Sequence, residues 1–335
     1  MYLLAADIGG TKALMGLAHI EQGQLQMQFE TQLPSADYKD IEPLLDHFLQ
    51  LADISGDQIS AATLAVAGPV QEKDGHSHSR LTNLPWTADS ESISAHLGGA
   101  PVSIINDFAA VGFALPHLER EDLIPLQAGA PKPGAAMLAV GAGTGLGVCL
   151  LDHREEKSHV FPSEGGHVGF APANQEQLDL LHYWLEKNGH CSREFLLSGP
   201  GIARIGAFVA EALKLEPETA LGRKMQDGDA SAAISEAAFN SEDSFARKTM
   251  QIFADIYASQ LGDLALSYLP RGGLFIAGGI APKILPLLQQ PQFIEAFRDK
   301  PPMASVLEQI PLSVVMTTRT GLIGALHRAA EIAKN

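Results

Sequence analysis

Two stretches of this 335-residue chain carry the same punctuation. Asp7-Ile8-Gly9-Gly10-Thr11-Lys12 closes one short apolar run, residues 2–6, and opens another, residues 13–19. About 134 positions later, Gly141-Ala142-Gly143-Thr144-Gly145-Leu146-Gly147 stands between the apolar runs 137–140 and 148–151. A strand that reaches a glycine turn and returns as a strand is a hairpin. Glycine there lets the backbone come close to a ligand and aim its N–H groups at it, and the hydroxyls of Thr11 and Thr144 add donors. Two such units in one chain predict two similar α/β lobes, each offering a hairpin to phosphate. A third glycine corner, Gly278-Gly279, follows the apolar run 274–277.

The organisation around these units fits an α/β architecture with functional residues at strand ends. Residues 2–6, 13–19 and 25–31 read as an antiparallel meander. Residues 41–52 carry apolar side chains at 41, 44, 45, 48, 49 and 51, a helical stripe. Residues 61–67 read as a buried strand ending at Gly68-Pro69, and 102–105 as another that runs into Asn106-Asp107 and a helix through 114. Beyond Pro116 a loop-rich stretch with Gly129, Pro131, Pro133 and Gly134 reads as a linker or hinge. Helices are expected over 175–187, 201–213 and 230–238 and from about 242, then a strand at 312–316 and a helix at 322–332. The expected boundaries are 1–116 plus 317–335 for a small lobe and 117–316 for a large lobe with helical insertions.

Composition narrows the partners. A formal net charge of −16 argues against nucleic acid or an anionic membrane surface as the main partner. It leaves phosphorylated ligands open, because a local ring of N–H groups holds phosphate in an acidic protein. Two cysteines, Cys149 and Cys191, are too few for a disulfide framework or a cysteine-based zinc site, and point to a reducing, cytoplasmic setting. The start, MYLLAAD, lacks the basic region of a signal peptide. Residues 134–151 hold no charge, yet four glycines in their middle favour two strands around a turn over a membrane span.

The common nucleotide signatures are absent: there is no G-x-x-x-x-G-K-[ST], and the 141–147 glycines miss the G-x-G-x-x-G spacing. Phosphate binding would therefore use the hairpins. Asp7, at a strand end, can hold magnesium through its carboxylate and waters, and such an ion would offset phosphate charge during transfer. Asp107 has two readings, helix N-cap or general base toward an attacking hydroxyl. Asn106, with donor and acceptor, could orient the same polyol. Glu164-Gly165-Gly166-His167 offers a carboxylate and an imidazole across a glycine turn. Glu194 precedes a further glycine corner, Ser198-Gly199-Pro200-Gly201, and alone reads as a solvated helix residue. His76 and His78 read as exposed residues of a loop rather than metal ligands, and the methionines as core filler.

Taken in order, these segments resemble the bacterial glucokinases of the hexokinase, heat-shock-protein and actin superfamily. The matching motifs are Asp7-Ile-Gly-Gly-Thr11, Thr82-Asn83-Leu84-Pro85-Trp86, Ile104-Ile-Asn-Asp-Phe108, Gly141 to Gly147, Ser163-Glu-Gly-Gly-His-Val168 with Phe170-Ala-Pro172, Leu197-Ser-Gly-Pro-Gly201 and Phe275-Ile-Ala-Gly-Gly-Ile280. The resemblance implies two actin-like (ribonuclease H-like) lobes, each a mixed sheet with flanking helices, with the active site in the cleft between them. It implies ATP-dependent phosphorylation of the glucose 6-hydroxyl in a cytoplasmic homodimer, with Mg2+ near Asp7. Asp107 would be the base, and Asn83, Asn106, Glu164, His167 and Glu194, with Asp107, the sugar ligands. Ala6, Asp7, Ile8, Gly9, Gly10, Thr11, Lys12, Gly141, Gly143, Thr144 and Gly145 would hold the phosphates, with Gly278 and Gly279 beside adenosine.

Two positions depart from the pattern. Lys12 stands where these glucokinases commonly have Asn and is more typical of the related repressor, open-reading-frame and kinase (ROK) sugar kinases. Gly169 replaces a common acidic residue. The cysteine-rich zinc motif of the ROK family is missing, which leaves His167 as a sugar ligand. A kinase for mannose or an N-acetylhexosamine is the nearest alternative. A sugar-sensing regulator is expected to carry a helix-turn-helix ahead of the first motif, and here that motif begins near residue 7.

Overall fold

The computed structural model describes residues 1–154 and 157–334. The chain forms two compact units: Met1–Glu119, His153–Pro162 and Thr317–Asn335 make unit 1, and Arg120–Asp152 and Ser163–Met316 make unit 2.

In unit 1, β1 (Tyr2–Ile8), β2 (Lys12–Glu21) and β3 (Gln24–Pro34) form the expected meander. After α1 (Ile41–Leu51) comes β4 (Ile59–Val66). A small antiparallel sheet follows, made of β5 (Val70–Lys73), β6 (His76–Arg80) and β7 (Thr87–Asp89). Then come α2 (Ser90–His96), β8 (Val102–Asn106) and α3 (Asp107–Ala114). The main sheet has the order β3-β2-β1-β4-β8, with β4 and β8 parallel to β1. His76 and His78 therefore lie on strand β6, not in a loop; β6 alternates exposed with buried positions, Ser77 and Ser79 facing inward.

Strand β1 is buried at Leu3, Leu4, Ala5 and Ala6 in succession, as a central strand covered on both faces must be. One face packs on α1, capped by Asp40, through Leu44, Leu45 and Phe48. The other packs on the C-terminal helix, Thr320–Ile332, through Leu322, Ala325, Leu326 and Ala329 against Leu3, Ala5, Ala61 and Ala65. Small residues set this second interface: Gly324 lies against the Ala110 carbonyl and Gly16 against Leu322, with no room for a Cβ at Gly324 without displacement.

In unit 2, β9 (Leu123–Gln127) is followed by β10 (Met137–Ala142) and β11 (Leu146–Arg154). Strand β12 (Lys157–Ser163) runs mainly through the segment assigned to unit 1. The helices are α4 (Gln175–Asn188), α5 (Arg193–Leu196), α6 (Gly199–Glu211), α7 (Thr219–Asp227), α8 (Ala230–Asn240) and α9 (Ser244–Tyr268). Then come β13 (Gly273–Ala277), α10 (Leu285–Leu288), α11 (Pro291–Arg298), α12 (Ala304–Leu307) and β14 (Leu312–Val315). The strands lie in the order β11-β10-β13-β14-β9.

The stretch read as a linker thus contains β9, which pairs antiparallel with β14. Its central Pro125 cannot donate to a ladder, which suits an edge strand and masks the strand in the sequence. Both units share one motif: an antiparallel hairpin whose first strand, β1 or β10, pairs on its other side with a parallel strand. Helix α9 is buried along most of its length, and its Tyr257 hydroxyl donates to the Val140 carbonyl and accepts from the Ala142 N–H, both at 3.3 Å. The uncharged stretch 134–151 is β10, a turn and β11, and among the described residues no helix is long and apolar enough to cross a membrane.

Candidate functional site

Unit 1 gathers the first group of candidates at the ends of parallel strands. Asp7 closes β1, opposite Leu14 of β2 and beside Ala65 of β4. The turn that follows is held from within: the Gly9 N–H donates to the Lys12 carbonyl at 2.9 Å. Buried Ser35 donates its hydroxyl to the Gly9 carbonyl at 2.8 Å and its N–H to the Thr11 carbonyl at 3.1 Å. Two of the turn carbonyls are thereby turned toward the protein, and the exposed Thr11 and Lys12 side chains face solvent. Gly10 lies against the side chain of Asn83, whose Cβ would sit 2.6 Å from any Cβ placed there. The absent side chain at Gly10 therefore makes room for a protein group, and Asn83 is brought to the hairpin.

The Asp7 carboxylate rests on Gly321, in the first turn of the C-terminal helix, in space that a Cβ would fill. A helix start favours an anion. Even so, burial and the nearby Asp107 push the Asp7 carboxyl up to about 6, while the Lys12 ammonium pulls it down. Lys12, the departure noted in the sequence, thus moderates a carboxylate the fold otherwise disfavours.

Asp107 is not the N-cap of α3. Asn106 is: its backbone is extended, and its Oδ1 accepts from the Phe108 and Ala109 N–H groups at 2.9 and 3.3 Å. Its Nδ2 donates to the Gly68 carbonyl at 3.2 Å, and the same amide favours the ionised form of Asp107. The Asn106 amide is therefore committed to holding the strand–helix junction, and would meet a polyol only by giving up one of these bonds. Asp107 occupies the first helical position, exposed on one side, its carboxylate accepting from the Phe108 N–H at 2.8 Å. The protein around its other sides desolvates it and raises its pKa, against the opposing pull of Phe108 and Asn106.

Unit 2 gathers the second group. Its hairpin turn is closed by the Gly143 N–H donating to the Gly145 carbonyl at 2.8 Å, and the Gly199 N–H donates to the Gly143 carbonyl at 2.7 Å. Gly143 faces open space and Thr144 is exposed. Glu194, at the second position of α5, accepts from the Leu146 N–H at 2.7 Å, so close to Gly145 that a Cβ there would lie 2.5 Å from its Oε2. Glu194 is thus a fixed partner of the hairpin and not a solvated helix residue. Its Oε1 lies 3.9 Å from His167 Nδ1, and His167 Nε2 lies 3.8 Å from the open Glu164 carboxylate. Glu164, His167 and Glu194 form one carboxylate–imidazole–carboxylate row. Gly165 and Gly166 are buried beneath it, Gly166 packed on the Leu146 carbonyl.

The third glycine corner belongs to the same unit. Gly278 has φ of +84°, a conformation that favours glycine, and backs onto Ala142 of β10; the Ile280 N–H reaches the Ala142 carbonyl at 3.3 Å. Gly278 and Gly279 are exposed. Cys149 and Cys191 are buried, and burial pushes the Cys191 thiol up to about 11, so neither reads as a nucleophile. Among the described residues no group of three or more His, Cys, Asp or Glu side chains is placed to hold a metal ion.

Sequence reasoning did not reach Ser35, Gly321 or Arg193, whose roles depend on residues that meet only in the fold.

Solved structures that superimpose on the chain include sugar kinases, and the fold is that of the actin-like sugar kinases. The glucokinase family model matches residues 4–332. A glucokinase of Nostoc punctiforme is 39% identical over 345 aligned positions, covering 98% of this chain and 99% of that protein. The crystal structure of a glucokinase from an Antarctic psychrotroph superimposes with a TM-score of 0.85 at 32% identity, covering 98% of this chain and 99% of the other. A glucokinase from Balamuthia mandrillaris, solved in complex with glucose, shares the fold with a TM-score of 0.78 at 23% identity, over 98% of this chain and 93% of that one. The chain belongs to the glucokinase family and is an enzyme of that family.

Proposed function

We propose that the chain transfers the γ-phosphoryl group of ATP to the 6-hydroxyl of glucose, forming glucose 6-phosphate. The observation that carries the chemistry is the carboxylate pair of unit 1: Asp107 at a helix start beside Asp7, both with raised proton affinity, next to a glycine hairpin. A base works best when its pKa approaches the operating pH, and desolvation moves Asp107 in that direction. Asp107 accepts the 6-hydroxyl proton as that oxygen bonds to phosphorus, with ADP as leaving group.

Asp7 suits magnesium: one carboxylate, raised by burial and by a neighbouring negative charge, gains from a hard cation that keeps most of its waters. When bound, such an ion supplies charge neutralisation at the phosphates. The hairpins at Gly9–Lys12 and Gly141–Gly145 hold phosphate oxygens, and Gly278-Gly279 lies toward the nucleoside. Glu164, His167 and Glu194 grip sugar hydroxyls, and Asn83 and Asn106 are further sugar ligands. Family membership supports glucose as the sugar and ATP as the donor.

A coupled kinase assay tests this reading, with glucose, mannose and N-acetylhexosamines as acceptors and ATP, ADP and polyphosphate as donors. Glucose with Mg-ATP is expected to give the highest kcat/KM. A higher value with an N-acetylhexosamine would overturn the substrate, and no turnover with any hexose would favour a binding-only regulator.

A further inference from the structure

The row Glu164–His167–Glu194 stands on a weak foundation as a peptide. Its loop has glycines at 165 and 166, which bring no side chain with which to anchor it, and both are buried. Ser163 holds its start, where the hydroxyl accepts from the Gly165 N–H at 3.0 Å, and among the described residues the one long side chain that reaches its backbone comes from a neighbour of Glu194. The Arg193 N–H donates to the Val168 carbonyl at 2.9 Å, and its Nη1 reaches the Gly165 carbonyl at 3.4 Å. Arg193 therefore holds the loop at both ends of His167, once by backbone and once by side chain.

The guanidinium is itself aimed. Its Nε donates to Oε1 of Gln260 at 3.0 Å. Gln260 is buried on α9, and its amide has no freedom to turn: Nε2 donates to the Ala171 carbonyl at 2.9 Å and to Asp263 at 3.2 Å. Asp263 is in turn paired with Lys300 at 2.8 Å, and Lys300 donates to Ser259 at 2.9 Å. A continuous network thus links Lys300, Asp263, Gln260 and Arg193 to the carbonyl of Gly165: Asp263 accepts from both Lys300 and Gln260, and Arg193 donates both to Gln260 and to Gly165. A half-buried guanidinium that donates to an amide and a carbonyl, and which burial disfavours in its charged form, is a costly arrangement for stability alone. It is the arrangement expected of a support that sets the angle of a binding loop.

We propose that Arg193, oriented by Gln260, is the positioning residue of the sugar grip: it sets Glu164 and His167 at their distances from Glu194, and so sets affinity for the hexose rather than for the phosphoryl donor. The proposal rests on the reading of Glu164, His167 and Glu194 as sugar ligands. It concerns a residue hydrogen-bonded to the backbone of the loop that carries Glu164 and His167, not the reacting atoms.

The test uses the full chain and compares Arg193→Met, Arg193→Lys and Gln260→Leu with wild type. KM for glucose and KM for ATP are each measured, with circular dichroism and a melting curve. Arg193→Met is expected to raise KM for glucose about tenfold or more while KM for ATP stays within about twofold, because a misplaced grip weakens binding without touching the donor. Gln260→Leu should shift KM for glucose in the same direction, by less. Arg193→Lys should recover part of the loss, since an ammonium reaches one acceptor but cannot fork to two. Lys187→Met, at an exposed pair with Glu211, serves as the control and should leave both constants unchanged.

A folded Arg193→Met with unchanged KM for glucose overturns the proposal, as does a parallel loss of glucose and ATP affinity. If all three variants fail to fold, the network is a folding scaffold and the positioning role falls. A wild type inactive on every hexose would instead overturn the proposed function, so the two failures are distinct.

Discussion

The two hairpins of this chain look alike in sequence, and the structure gives them different surroundings. In unit 1 the turn at Gly9-Gly10 is clamped by Ser35 and Asn83, and the charge beside it is desolvated by the surrounding protein: Asp7 and Asp107 are both pushed toward protonation. In unit 2 the turn at Gly143–Gly145 is clamped by Glu194 and Gly199, and the charge beside it lies open, with the Glu164 side chain 90% and the His167 side chain 63% exposed. Desolvated carboxylates are loaded for proton transfer and cation binding. Open ones can exchange water for hydroxyls at little desolvation cost. The contrast teaches that a repeated strand motif supplies only the backbone cradle, and that side chains brought from elsewhere give each copy its chemistry.

Replacing Asp7 should separate the copies most strongly. Its pKa rises from 3.8 in the ordinary state to about 6 in the fold. The folded protein therefore binds an extra proton between about pH 4 and 6 and loses stability as pH rises through that window. Asp7→Asn is expected to lose activity by about 100-fold or more while raising the melting temperature at pH 8, by up to about 2–3 kcal/mol in stability. The gain should fade as pH drops from 6 toward 4. Melting curves against pH check this, and a variant less stable than wild type at pH 8 would break the assignment of Asp7 as the strained member.

A subtler break comes at Gly145. A Cβ there meets Glu194, which must swing away and give up the Leu146 N–H. Gly145→Ala is expected to raise KM for glucose about tenfold with kcat reduced less than about threefold, a loss of grip without loss of chemistry. A change in KM for ATP alone would mean that the turn serves only the phosphates and that Glu194 does not grip the sugar. Smallest of all, Lys187→Met should move the melting temperature by less than about 2 °C, because exposed pairs contribute little.

How far these features could be read in advance follows from their range along the chain. The meander β1–β3 was legible because its strands are short apolar or alternating runs and its turns carry glycine, all within about 35 residues. Asn106 and Asp107 are both competent caps, and only the fold shows which residue has the extended backbone that a cap needs. Strand β9 was hidden by Pro125, helix α7 by its polar sequence, and β6 by a run of histidines and serines that resembles a loop. Gly321 reads as an unremarkable glycine until Asp7 is found against it, more than 300 positions away in the chain. Arg193 and Gln260, 67 positions apart, give no sequence signal at all.

The central claim is that Asp107 takes the proton of the attacking hydroxyl, and Asp107→Asn tests it most directly. The substitution keeps the volume, leaves Asn106 to cap α3, and removes only proton acceptance. The account predicts kcat with glucose and Mg-ATP reduced by about 1,000- to 10,000-fold, with the glucose dissociation constant within a few fold of wild type. Turnover near the wild-type rate in that folded variant would contradict it.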